Sequence, residues 1–167
     1  MNLISIIKRV IFSCLLLLTT NMSGAHTLNE TSAQVILRDG QIELKIITDI
    51  PHLISTLQSE QAWLLGDTDQ VMPTNLNASQ QSAFIENVLQ QKVHLRINAQ
   101  AITFESVSIV AAKYPTNADI SLQAKHDFTD VTDVAITFPK SLGNVHISVV
   151  KPRYRLLAAG DTAHVEL

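Results

Sequence analysis

Six histidines, His26, His52, His94, His126, His146 and His164, are the side chains best suited to metal or acid–base chemistry in this chain. They are scattered, with no HxH, HxxxH or HExxH grouping, so the fold would have to assemble any metal site. His26 has a further possibility. As the first residue of a processed chain it would offer its α-amino nitrogen and ring Nδ1 to one ion, closing a six-membered chelate ring. Another imidazole would then complete the nitrogen-rich arrangement that Cu(II) favours. His126 and His164 are the expected partners: His126 stands next to Asp127, which could orient its ring, and His164 lies in a terminal strand that could meet the first one. His94 and His146 occupy polar positions of alternating strands, and His52 the surface of a short helix.

Carboxylates group at Asp67 and Asp69 and at Asp127, Asp130 and Asp133. A hydrolase would need two of them converging in a pocket. The run Asp67-Thr68-Asp69-Gln70 is a fragment of a calcium loop without the sixth-position glycine or the distal glutamate. The three later aspartates read as a turn between strands. No GxSxG, SxxK or glycine-rich phosphate loop occurs, and no serine stands in a nucleophile context.

The opening residues bear on His26. Lys8 and Arg9 precede the apolar run Val10-Ile11-Phe12-Ser13-Cys14-Leu15-Leu16-Leu17-Leu18, and Ser23-Gly24-Ala25 follows. A positive start, a short apolar stretch and small residues three and one before the cut are the marks of a secretory leader, residues 1–25. Nine residues of helix span roughly 13 Å, far short of a bilayer core of about 30 Å. Cleavage after Ala25 would make His26 the first residue and leave 142 of the 167 residues as one domain. The only cysteine, Cys14, would depart with the leader, leaving neither disulfide nor thiolate. The leader holds two of the 12 basic residues and none of the 15 acidic ones, so the remainder carries −5. An acidic domain is a poor partner for nucleic acid.

The remaining elements read mainly as strands. Residues 32–49 predict a hairpin, with Ile42, Leu44 and Ile46 on the buried face and Asp39-Gly40 at the turn. Asp49-Ile50-Pro51 opens a helical stretch over about 51–91. Its second helix, 78–91, has Asn77 or Ser79 as cap and Phe84, Ile85, Val88 and Leu89 as its apolar stripe. Strands follow at 93–98, 102–111, 120–126, 131–138 and 145–150, with a turn at 98–101 and a last pair at 154–157 and 163–167. Seven to nine short strands at these intervals predict a mainly β or α+β fold, an immunoglobulin-like antiparallel sandwich with a helical insertion after its first hairpin.

The start Ala25-His26-Thr27, the early hairpin, and Val145-His146-Ile147-Ser148-Val149-Val150 through Ala159-Gly160-Asp161 are similar in outline to two exported groups. One is the CopC-like copper-resistance sandwiches. The other is the soluble amino-terminal domain of HupE/UreJ-type membrane proteins. The resemblance implies an exported sandwich with His26 as a copper ligand. It does not account for the helical segment, and the Asp-x-His pair of the CopC-like site has no match. The expected function is therefore a periplasmic, non-catalytic binding or interaction module whose partner is another periplasmic or membrane protein. A periplasmic Cu(II)-binding protein is the alternative, and a hydrolase with a carboxylate site a further one.

Overall fold

The computed structural model describes residues 30–111, 117–152 and 156–162. Among them are eight strands in two sheets and three α-helices, a mainly β fold. Strands β1 (Thr31–Arg38) and β2 (Gln41–Asp49) form the expected hairpin, with Arg38 opposite Gln41. Gly40 closes it at φ +72°, a conformation only glycine takes without strain.

Helices α1 (Ile50–Leu57), α2 (Glu60–Leu64) and α3 (Ala78–Lys92) follow β2. Asp49 caps α1 by accepting from the His52 amide at 2.9 Å. Asn77 caps α3 in a full capping box: Asn77 Oδ1 accepts from Gln80 N, and Gln80 Oε1 accepts from Asn77 N, both at 3.0 Å. Leu53 and Leu57 of α1 and Ile85, Val88 and Leu89 of α3 are buried.

The strands β3 (His94–Ile97), β4 (Gln100–Ile102) and β7 (Val134–Thr137) make a small sheet in the order β4-β3-β7. The larger sheet adds β5 (Ser106–Ala111), β6 (Asn117–Lys125) and β8 (Val145–Val150), in the order β5-β6-β2-β1-β8. All its pairings are antiparallel except β1 with β8, which is parallel. Its inner face gives Val35, Leu44, Ile46, Ile120 and Leu122 to a core shared with Leu95 and Ile97 of the small sheet and with α1 and α3.

Several boundaries differ from the sequence reading. The strand expected at 102–111 is two strands in different sheets. Phe104 turns into the core at 3 % exposure, and the Glu105 amide bonds to the Gln123 carbonyl at 2.7 Å, so the chain changes layers there. The turn expected at 98–101 is two residues, Asn98 and Ala99, both at positive φ (49° and 66°). The strand expected from 131 begins at Val134, because Asn98 Oδ1 takes the amides of Thr132 and Asp133. The last expected pair, 154–157 with 163–167, falls largely outside the described residues, and the described stretch 156–162 holds a turn at 159–160.

Candidate functional site

The four described histidines, His52, His94, His126 and His146, are not gathered at one place. His26 and His164 lie outside the described residues. His126 follows β6 directly and is 7 % exposed. Its Nε2 lies 3.2 Å from the Arg38 carbonyl, its amide bonds to the Gly40 carbonyl at 3.1 Å, and its ring stacks on Phe128 with centroids 5.8 Å apart. A carbonyl only accepts, so Nε2 carries the proton. Nδ1 is enclosed and has no hydrogen-bond partner among the described residues. His126 thus fits a Cu(II) ligand poorly: one ring nitrogen is occupied and the other is shut off from an incoming ion. It instead fastens the end of β6 to the β1–β2 turn.

His52 and His94 are exposed, and His146 Nε2 meets Glu30 Oε2 at 2.8 Å on the solvent side of β8. Among the described residues no three His, Cys, Asp or Glu side chains are placed to hold a metal.

A cleft of about 100 Å³ does lie beside Asp67 and Asp69, against Phe84, Asn87 and Gln91 of α3. Its two carboxylates have other employment. Asp67, 5 % exposed, accepts from the amides of Lys140 (3.0 Å) and Ser141, which open the 3₁₀ turn Lys140–Leu142. Asp69 is exposed and stands 3.7 Å from Lys92 Nζ. One is held as an acceptor of backbone amides and the other faces a cation, so they do not form a general acid–base pair. Asp127, Asp130 and Asp133 are exposed in the loop that Asn98 ties to β3.

The solvent face of the large sheet carries a charge cluster at its centre. Glu43 accepts from Arg38 at 2.8 Å and faces Lys45 at 3.6 Å and Ser121 Oγ at 3.4 Å. The Arg38 hydrogen bond is the main cause holding the Glu43 carboxyl below the ordinary glutamate range. Burial opposes it, while Lys45 and Ser121 reinforce it. These groups satisfy one another within the sheet.

In the sequence Pro152 ends the 145–150 strand or confines it to an edge, but nothing there shows that the core-side residues of that strand stay open to solvent. Alternation places Val145, Ile147 and Val149 in one phase, and the register confirms that they share the core-side face with Thr31, Ala33 and Val35. Ala33 and Val35 are buried at 4 % and 0 %, but Ile147 and Val149 are 47 % and 51 % exposed. Val150 on the opposite face is 37 % exposed. Among the described residues no strand lies outside β8. The available signal was composition: Val145-His146-Ile147-Ser148-Val149-Val150 contains four β-branched residues and no Lys, Arg, Asp, Glu or Pro. Sheet edges are ordinarily blunted by such residues. No family model, curated protein or solved structure matches the chain.

Proposed function

We propose that this protein is an exported, periplasmic interaction module without catalysis, a sandwich of immunoglobulin type that recognises a protein partner through the open edge of β8. The observation that carries the reading is the half-exposed pair Ile147 and Val149 on the core-side face of a strand whose outer backbone groups are unpaired among the described residues. Such an edge accepts a further strand. Backbone hydrogen bonds supply affinity, and the apolar side chains supply register. Two antiparallel-rich sheets around one core support the sandwich, and the leader pattern at Lys8 to Ala25 supports export. No helix among the described residues is long and apolar enough to cross a membrane.

The test is a photo-crosslinking amino acid placed at Ser148 in the cell of origin. A defined protein adduct at this position, absent when the probe sits at exposed Asp130, is the expected result. Absence of any adduct at Ser148 overturns the reading. Amino-terminal sequencing of the recovered protein tests export separately, with His26 expected first.

A further inference from the structure

We infer that the partner at the β8 edge is a second copy of this chain, joined antiparallel about a twofold axis at Ser148. The inference rests on the interaction reading above and names its occupant.

The argument starts from the parity of the strand. Residues paired across neighbouring strands share a sheet face, so an added strand must place apolar residues opposite Ile147 and Val149. A twofold axis perpendicular to the sheet keeps the core-side faces of both copies on one side. It pairs residues whose numbers sum to an even value. Centring on Ser148 sets Ile147 opposite the partner's Val149 and Val149 opposite the partner's Ile147. Each half-exposed side chain is thus covered by one of the partner's, in two symmetric pairs. On the solvent face Val150 meets the partner's His146, and Ser148 meets its own copy. The symmetry excludes a slip of one residue, and among the allowed axes the one at Ser148 sets the two half-exposed side chains opposite each other.

Charge permits the approach. The only titratable side chain of β8 is His146, and Glu30 of the same chain already stands 2.8 Å from it. No lysine or carboxylate of β8 would face its like across the axis. The edge thus matches itself in polarity and meets no like charge across the axis, as an isologous interface requires. Pairing also ends naturally. Pro152 has no N–H to donate, and Gly143 at φ +66° turns the chain before the strand begins. The product is a ten-stranded continuous sheet closed by one axis. It leaves β5, at the far end of each larger sheet, as its outer strand.

Sedimentation velocity of the recovered protein over a concentration series tests this. The expected result is a reversible monomer–dimer equilibrium. Ile147→Lys sets a cation opposite Val149 at both symmetric positions and should weaken the dimer more than about tenfold. Val110→Lys, on the exposed part of β5, should leave it unchanged. Should Ile147→Lys disturb folding, the axis remains testable in a Cys14→Ser background. There Ser148→Cys should give a covalent dimer under mild oxidation, because paired strand positions fall within disulfide reach. Gln34→Cys should not.

A monomer at every concentration, together with no Ser148→Cys dimer, overturns the inference. The photo-crosslink separates this failure from that of the broader reading. An adduct to a different protein keeps the edge as an interaction site and removes the second copy. No adduct removes both.

Discussion

The two ends of the large sheet carry similar side chains under different cover. β5 turns Val107 and Ile109 toward the core, and both are partly buried there. Helix α3 packs against this strand. β8 turns Ile147 and Val149 toward the same side, and both stay about half exposed. Burial of apolar surface is worth roughly 25 cal/mol per Å², so the two strands contribute unequally to folding despite like composition. β5 is stabilised by what lies on it, whereas β8 leaves its apolar surface half open to solvent.

The largest expected effect comes from removing the cover itself. Leu89 of α3 is 1 % exposed. Leu89→Ala should cost about 2–5 kcal/mol, as core truncations do. Ile147→Ala, measured at a concentration where the protein is monomeric, should cost under about 1 kcal/mol. Urea unfolding of the two variants checks the contrast. Equal losses would mean that β8 is as well packed as α3, and the comparison would fail.

A smaller loss should follow from releasing the chain just before β8. Asp67 holds the amides of Lys140 and Ser141, and Thr31 Oγ1 holds the Leu142 carbonyl at 2.8 Å while sharing a 2.9 Å hydrogen bond with Thr48. Asp67→Ala strands two amides in a mostly buried setting and should cost about 2 kcal/mol. Hydrogen exchange should rise in Val145–Val150 more than in Ser106–Ala111. Uniform loss of protection would show that the 3₁₀ turn serves the whole domain, not the β8 end.

The capping box of α3 gives the next step down. Asn77→Ala removes one side of the reciprocal pair with Gln80 and should lower stability by about 1 kcal/mol in thermal melts. Because α3 covers β5, protection should fall first at that edge. A loss centred on β8 would contradict the division drawn here.

What could be read in the residues divides along the same line. The β1–β2 hairpin, the α3 cap at Asn77 and the extent of β8 were legible because local rules decide them: a glycine at the turn, an amide-accepting cap, a period of two. The layer change at Phe104 was not, since one buried ring and one long-range amide bond decide it. Nor was the late start of β7, set by Asn98 reaching across 34 residues to Thr132. Histidine partners and paired carboxylates attract attention in a sequence, yet His126 and Asp67 serve to join segments distant in the chain. The exposure of Ile147 and Val149 had a sequence trace only as missing charge. Alternation reports which face a residue occupies and is silent on whether anything lies over it.

The smallest effect is expected midway between the ends, where charge replaces cover as the variable. Glu43 sits on the solvent face of β2, held ionised chiefly by Arg38. A carboxyl whose pKa is lower folded than unfolded contributes stability that is complete above the ordinary glutamate range. That contribution is lost as pH falls through the lowered folded value. Acidification should therefore begin to weaken the protein through Glu43 as its unfolded counterpart takes up a proton, and the loss is complete once the folded carboxyl is protonated as well. Arg38→Gln should move the Glu43 titration upward, seen by carboxyl NMR, and cost under about 1 kcal/mol at neutral pH, as partly exposed ion pairs do. It should leave the monomer–dimer equilibrium in place, because Arg38 lies outside the Ser148-centred pairing. A shift in dimerisation with this substitution would mean that the central charges and the β8 edge are not separable, and that cover alone does not explain how the two ends of the sheet differ.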